Sequence, residues 1–299
     1  MSEDWLERIL NVRRWAQGGK RAPHKPMLML LALGRLQATG SSRLAYVDAE
    51  AVLDELLDEY GPSTSRTTTA YPFHRLQNDD LWTVRTTAGP SPGDSPTQLR
   101  RLEATGQFVT DLETALRSDP RLLVLAARGL LDANFPESLH AEICAALGLD
   151  LEGAEASIVR GRASELRRRD PRFREAVLVA YEYRCAMCGY DGRIGREAVA
   201  LDAAHVRWWA FDGPDEVDNA LCLCSLHHKL LDRGVMGVTA EGVVAVSRLF
   251  VGRGRVAEEL VLSLAGSPLL EPQRGLPAPA QEHVSWHAEQ VFRQPARVA

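Results

Sequence analysis

The sequence lacks any run of about 20 uninterrupted apolar residues, the length that a membrane-spanning helix needs. It lacks a basic leader followed by an apolar block, because its start, MSEDWLERIL, is acidic. It has only five cysteines in 299 residues, an odd number that does not indicate a disulfide framework. These absences exclude a membrane-embedded or disulfide-stapled chain, and we expect a cytoplasmic protein with two globular domains.

The chain also has no large excess of positive charge, because its formal net charge of -5 excludes a chain that is basic throughout. Two local segments are nevertheless basic. Six basic residues lie between Arg8 and Lys25, and seven arginines lie between Arg160 and Arg174. Such segments are usually solvated surfaces, and they become candidates for nucleic-acid contact only beside a motif that acts on nucleic acid.

Apolar periodicity and turn residues predict a mostly helical first half. In chain order the pattern predicts helices at 5–17, 26–37 and 48–60, a short strand ending in Leu81, Trp82 and Val84, a surface loop at 86–98, and helices near 98–117 and 120–131. Acidic and small residues around 150–157 read as a linker, so we place a domain boundary near 155.

The second half reads as a mixed module of helices and strands. The pattern predicts an arginine-rich helix from 160 to about 181, a cysteine knuckle, a strand at 199–206, a helix at 226–232, and a Pro-rich tail beyond 265 with a further helix at 280–293.

Four metal-binding side chains occur as two pairs with the same spacing. Cys185 and Cys188 form a C-x-x-C, and Cys224 and His227 repeat that spacing further along. Each such pair can present both donors from one turn, which suits tetrahedral Zn²⁺. With all four positions filled by protein, the zinc is expected to be structural. Cys222 and Cys144 are instead predicted to pack as apolar residues.

The segment LDAAHVRWWAFDGPDEVDNALCLCSLHHKLLD, interleaved with these pairs, resembles the HNH endonuclease family. The residues that name that family correspond here to His205, Asn219 and His228, and the resemblance covers about 184–234. It implies a ββα-metal nuclease unit that hydrolyses phosphodiester bonds with one divalent cation, Mg²⁺ or Mn²⁺.

Each of these residue types suits a step of hydrolysis. His205 is the candidate general base, since an imidazole titrates near neutral pH. His228 is expected to hold the catalytic cation, because it directly follows the zinc ligand His227 and points about 100° away from it on a helix. Asn219 is expected to tie the intervening loop together and orient the base.

The chain departs from many HNH enzymes at one position, where Ala204 replaces an aspartate that binds the metal. Asp202 is the nearest acid and a candidate second ligand, although it needs a bulge to share a site with His205. Asp232, four residues after His228, is a further candidate as a ligand or as its partner.

The first half resembles the sulfur-binding domains of modification-dependent restriction enzymes of the McrA-like type IV class, which recognise phosphorothioate DNA. The segments that carry the resemblance are RAPHKP at 21–26, YPFHR at 71–75 and NFPES at 134–138. By this resemblance, Tyr71 and Pro72 form an apolar wall against sulfur. The basic residues expected to contact phosphates or base edges are Arg21, His24, Lys25 and Arg75.

These features together predict an α+β protein in three parts. A mostly helical domain at 1–155 binds phosphorothioate double-stranded DNA, a zinc-stabilised HNH domain at 156–265 cuts it, and a Pro-rich tail follows at 266–299. Two alternatives stay open: an HNH nuclease that reads a methylated base, and an inactive DNA-binding regulator. Because one HNH site cuts one strand, we also expect a homodimer on DNA, with the tail as a candidate interface.

Overall fold

The computed structural model of the chain describes residues 2–13, 16–17, 20–21, 23–61, 68–151 and 171–297. The described residues up to 151 form one compact unit, and those from 171 onward form a second. The expected boundary near 155 and most of the arginine-rich segment lie outside the described residues. Within the described part of the chain, no helix has the length and apolar character that crossing a membrane requires.

Helices make up most of the first unit. They are α1 (Ser2–Leu10), α2 (His24–Thr39), α3 (Tyr46–Tyr60), α4 (Ala70–Arg75), α5 (Pro96–Arg101), α6 (Thr110–Ser118), α7 (Pro120–Asp132) and α8 (Glu137–Leu147). Pro26 lies in the first turn of α2, where its missing amide costs no hydrogen bond. Gly40 ends that helix with a left-handed φ of 75°. The predicted helices at 26–37, 48–60 and 120–131 are therefore confirmed.

A small antiparallel sheet completes the first unit. Its strands, in spatial order, are β3 (Leu44–Ala45), β6 (Thr105–Phe108), β4 (Trp82–Thr86) and β5 (Gly89–Pro90). A separate ribbon pairs β1 (Ala16–Gln17) with β2 (Lys20–Arg21). The apolar core of the unit lies between this sheet and the helices, where the rings of Phe73, Trp82 and Phe108 pack edge to face.

Three predictions about the first unit are wrong. The helix predicted near 98–117 is interrupted by strand β6, because Glu103 has a positive φ of 48° and Gly106 packs under the Trp82 ring. A Cβ on Gly106 would lie 2.4 Å from that ring, so only glycine permits this approach. The helix predicted at 5–17 ends at Leu10, and the predicted loop at 86–98 contains β5 and the start of α5.

The second unit combines short strands and helices. Its elements are β7 (Arg193–Ile194), β8 (Glu197–Ala198), β9 (Leu201–His205), β10 (Ala220–Cys224), β11 (Met236–Val238), β12 (Val244–Val246), α9 (Pro171–Ala180), α10 (Ser225–Asp232), α11 (Arg255–Leu260) and α12 (Gln281–Gln290). The strands pair as antiparallel ribbons, β7 with β8, β9 with β10 and β11 with β12.

The β9–β10 ribbon and the helix α10 form the centre of the second unit. His205 pairs with Ala220 across the ribbon, and α10 begins directly after Cys224. Helix α9 packs against both strands and seals the core. This ββα arrangement confirms the expected α+β class, and α10 packs against both strands of the ribbon.

The tail of the chain packs onto the second unit. Trp286 of α12 contacts Trp208 and Phe211, with ring centroids 5.9 and 5.4 Å apart. His287 Nε2 donates to the carbonyl of Leu231 at 3.0 Å, and the Arg293 amide donates to Gly234 O at 2.9 Å. Segment 281–293 is therefore part of the same core as α10.

Candidate functional site

The four predicted zinc ligands lie together. The ligand atoms of Cys185, Cys188, Cys224 and His227 are all within 4.8 Å of one another. His227 Nδ1 lies 3.4 Å from the Cys185 sulfur and 3.2 Å from the Cys224 sulfur. Around a tetrahedral Zn²⁺, with bonds of about 2.0–2.3 Å, donor atoms come within about 4 Å of one another. The four residues therefore fit zinc.

Hydrogen bonds around this cluster set the orientation of His227 and the protonation of Cys224. His227 Nε2 donates to the Leu260 carbonyl at 2.8 Å, which leaves Nδ1 as the nitrogen that faces the sulfurs. Hydrogen bonds from the Cys185 thiol, then from Cys188, hold the pKa of Cys224 below its usual value. One sulfur of the cluster is thus poised as a thiolate, the form that binds Zn²⁺.

The two remaining cysteines lie outside the cluster, as predicted. Cys222 is buried on β10, and burial, followed by the nearby Cys185, raises its pKa to about 12. Cys144 is half-buried on α8, and burial also raises its pKa. Both thiols therefore stay protonated and pack as small apolar groups.

His205 ends β9 in a nearly enclosed setting. Its ring stacks on Phe173 of α9, with centroids 4.5 Å apart and planes 26° apart. Its Nε2 lies 2.8 Å from Asp215 Oδ1, and only 7% of its side chain is exposed. Stacking and the hydrogen bond together restrict the ring to one orientation.

Asn219 ties together the loop that connects β9 to β10. Its Oδ1 accepts from the Arg207 amide at 2.8 Å, and its Nδ2 donates to the carbonyls of Arg207 and Pro214, each at 3.0 Å. Asn219 itself is fully buried. These three hydrogen bonds close the loop at both ends, which is the geometry expected of a residue that orients and does not react.

His228 lies on the first turns of α10, next to the zinc ligand His227. Its Nε2 is 3.3 Å from Asp232 Oδ2, and the Asp232 side chain is only 2% exposed. A carboxylate that binds one nitrogen of an imidazole leaves the other nitrogen to act as a metal ligand. Asp232 is thus placed as the partner of His228.

Asp202 points away from His205. Strand β9 keeps an unbroken register with β10 and has no bulge, so residues 202 and 205 point to opposite faces. Asp202 is exposed and pairs with Arg174, whose Nε lies 3.1 Å from Asp202 Oδ1. Ala204 is buried. The structure therefore does not bring Asp202 to His205.

In the first unit, Tyr71, Pro72 and Arg75 share the short helix α4. The Arg75 guanidinium lies 4.7 Å from the centre of the Tyr71 ring, and it also pairs with Asp94 at 3.0 Å. Tyr71 is 36% exposed, whereas Pro72 is buried. Helix α4 thus presents an aromatic ring beside a cation on its outer side.

The PHKP segment begins α2, which packs against α4. Lys25 Nζ lies 2.6 Å from Asp79 Oδ2, and the two side chains are only 11% and 5% exposed. His24 is buried in the first turn of the helix. Arg21 lies on β2, and its side chain is outside the described part of the structure.

Two residues that the sequence did not single out surround His205. Phe173 comes from the end of the arginine-rich segment, where the sequence indicates a helix and a basic surface but no residue of the site. Asp215 is one of several acids in the loop, which also contains Asp212, Glu216 and Asp218. No spacing distinguishes the acid that turns inward, so sequence alone offers no signal for it.

Comparisons with known proteins agree with this arrangement. A family model described as "ScoMcrA-like, DNA sulfur-binding domain" matches residues 2–152, about half of the chain, and the "HNH endonuclease" model matches residues 185–239. A comparison with curated proteins found no match.

Among solved structures, the "sulfur binding domain of SprMcrA complexed with phosphorothioated DNA" is 22% identical, covering 50% of this chain and 94% of that one, with a TM-score of 0.43. The corresponding ScoMcrA domain complex is 23% identical, covers 48% and 94%, and has a TM-score of 0.40. A type IV phosphorothioation-dependent restriction endonuclease, ScoMcrA, is 24% identical, covers 48% of this chain and 32% of that one, and has a TM-score of 0.39.

The ββα unit, with its Cys/His cluster, is an HNH endonuclease domain joined to a mostly helical DNA-binding unit. The chain belongs to the family of proteins with a ScoMcrA-like DNA sulfur-binding domain.

Proposed function

We propose that this protein is a modification-dependent restriction endonuclease, in which the first unit binds phosphorothioate DNA and the second hydrolyses a nearby phosphodiester bond. The observation that carries the proposal is the joining of two matched units in one chain. The domain limits that we propose are 1–155 for recognition and 156–265 for hydrolysis, supported by the tail of residues 266–299.

In the second unit, His205 acts as the general base and His228 holds the catalytic cation. A cation bound there would supply stabilisation of the negative charge that develops on the phosphate and the leaving oxygen. His228 would supply one protein ligand to Mg²⁺ or Mn²⁺, and water and substrate phosphate would supply most of the others. Asp232 orients His228, and Asn219 holds the loop beside His205. The zinc at the Cys/His cluster is structural.

In the first unit, the apolar surface of Tyr71 and Pro72 recognises sulfur. Replacing one phosphate oxygen by sulfur leaves the negative charge but makes that edge bulkier and less strongly hydrated. Burying an oxygen against an apolar wall would leave a strong acceptor unpaired, whereas sulfur loses much less. Arg75, which stacks on Tyr71, meets the phosphate charge together with Arg21 and His24 of the neighbouring segment, whereas Lys25, enclosed with Asp79, holds that segment in place.

A matched pair of duplexes tests this function. The two have the same sequence, and only one carries a phosphorothioate; each is incubated with the protein and Mg²⁺ or Mn²⁺, and products are counted. We expect cutting of the sulfur-containing duplex and little of the other. Equal cutting would contradict sulfur recognition, and cutting only of a methylated duplex would favour a reader of methylated bases.

We also propose that a double-strand break needs two copies of the chain, because one HNH site cuts one strand. The measurement is the ratio of nicked to linear plasmid as protein concentration rises. Linear product should increase with the second power of concentration at low occupancy, and a first-power dependence would contradict assembly on DNA.

A further inference from the structure

Within the part of the chain that the structure describes, Asp215 is the carboxylate in hydrogen-bond contact with the imidazole of His205. Its Oδ1 lies 2.8 Å from His205 Nε2, and its side chain is 20% exposed. A carboxylate can only accept a hydrogen bond, so this distance requires the proton of the His205 ring to be on Nε2. In the neutral ring the lone pair is then on Nδ1.

The loop around Asp215 is built to hold it in place. Asn219 Nδ2 donates to the carbonyl of Pro214, the residue directly before Asp215, at 3.0 Å. Gly213 packs so tightly that a Cβ there would lie 1.9 Å from the Arg207 carbonyl oxygen. The backbone on the N-terminal side of Asp215 is therefore fixed by the same asparagine that closes the loop.

We propose that Asp215 is the positioning residue that selects Nδ1 of His205 as the base and stabilises the imidazolium that forms. This inference rests on the proposed function. Nδ1 takes a proton from water, the water oxygen forms a bond to phosphorus, the bond from phosphorus to the leaving sugar oxygen breaks, and that oxygen takes a proton from solvent. Asp215 keeps its charge throughout and pairs with the positive ring.

Asn219 thereby acts on His205 through Asp215. The chain of contacts runs from the Asn219 amide to the Pro214 carbonyl, then along one peptide to Asp215, and from its carboxylate to the ring. Carboxylates that orient metal-binding imidazoles are typically worth about 10–100-fold in activity, and we expect an effect of that size for a carboxylate that orients a base.

Three variants of the full chain test the assignment. Asp215→Ala removes the acceptor, Asp215→Asn keeps an oxygen acceptor without the charge, and Glu216→Gln changes the adjacent exposed carboxylate, which makes no side-chain contact described by the structure. Single-turnover cutting of the phosphorothioate duplex with Mn²⁺ gives the rate of chemistry. Binding to the same duplex without added Mg²⁺ or Mn²⁺ gives the affinity.

We expect Asp215→Ala to slow cutting by about 10–100-fold with unchanged affinity, Asp215→Asn to fall between it and the parent, and Glu216→Gln to match the parent. Long-range ¹H–¹⁵N spectra of histidine-labelled protein, assigned with His205→Ala, report the tautomer. The parent should carry the His205 proton on Nε2, and Asp215→Ala should lose that preference.

Two results would overturn the assignment: Asp215→Ala cutting within twofold of the parent, or a parent ring protonated on Nδ1. If Asp215→Ala loses zinc or fails to fold, the cutting rate of the isosteric Asp215→Asn is compared with that of the parent in its place. If the parent cuts no duplex at all, the proposed function fails instead, and the tautomer spectrum still decides the role of Asp215.

Discussion

At the scale of single residues, the ion pair between Lys25 and Asp79 distinguishes a structural cation from one that meets DNA. The two charged groups lie 2.6 Å apart and are almost fully enclosed. Asp79 also accepts a hydrogen bond from the Arg13 amide at 3.0 Å. The carboxylate therefore joins the segment before α2 to the start of that helix, and Lys25 neutralises it.

Replacing Lys25 should lower stability more than a surface change would. In Lys25→Met the enclosed Asp79 keeps its charge, loses its buried cation and retains only the exposed Arg13 guanidinium 3.9 Å away, so we expect a loss of about 3–5 kcal/mol in the free energy of unfolding. Arg43→Met is the control, since Arg43 is exposed and forms no ion pair among the described residues. Urea unfolding measures both. Unchanged stability with lost DNA binding would instead assign Lys25 to phosphate contact.

At the scale of elements, helix α12 supports both halves of the catalytic unit. Trp286 packs on the segment that follows His205, and His287 bonds to the last turn of α10, the helix of His228. His287 is fully buried, its Nδ1 has no partner among the described residues, and burial lowers its pKa to about 4. The ring is therefore neutral when the unit is folded.

This buried histidine predicts a loss of stability in acid. The unfolded chain binds a proton at His287 below pH 6.5, whereas the folded chain resists until about pH 4, so stability falls between these values as pH decreases. Between pH 7 and pH 5 the loss is on the order of 2 kcal/mol. The free energy of unfolding of the parent and of His287→Gln, each measured at pH 7 and pH 5, isolates the contribution of His287, because any loss of zinc in acid affects the two proteins alike. Equal losses would contradict it.

The loop from Arg207 to Asn219 depends on glycine at one position. In Gly213→Ala the new Cβ would meet the Arg207 carbonyl at 1.9 Å and the Asn219 amide nitrogen at 2.8 Å, so the loop must shift. A displacement of about 1 Å near a reacting group can cost about 100-fold in rate. Gly254→Ala, where a Cβ meets open space, is the control. Cutting assays measure both, and a parent-like Gly213→Ala would argue against a rigid loop.

The sequence predicts an element well when the contacts that determine it join residues close together in the chain. The zinc pairs and helices α2, α3 and α7 depend on local spacing, so the sequence predicts them. Strand β6 depends on Gly106 meeting Trp82 across the sheet, and Asp215 depends on loop closure by Asn219. Such contacts join residues that are distant in the sequence, so no local pattern predicts them. No local pattern predicts whether β9 has a bulge at Asp202 either.

At the scale of the whole molecule, zinc should be needed for cutting but not for recognition. The Cys/His cluster lies within the second unit, whereas the proposed sulfur-binding residues lie in the first. Removing zinc with a chelator, or changing Cys188 to Ser, should abolish cutting and lower the melting temperature of the second unit, since structural zinc contributes folding energy directly. Binding to the phosphorothioate duplex, measured by anisotropy, should persist. Loss of both activities together would contradict this.

The division of labour between the two units is tested most directly by His228→Ala, with binding and cutting measured on one phosphorothioate duplex. His228 Nε2 is held by Asp232, so its other nitrogen is the proposed cation ligand of the nuclease unit. We predict that the variant binds the duplex with the affinity of the parent and cuts it at least 100-fold more slowly, by analogy with lost transition-state contacts. An equal loss of binding and cutting, or cutting at the rate of the parent, would contradict the account.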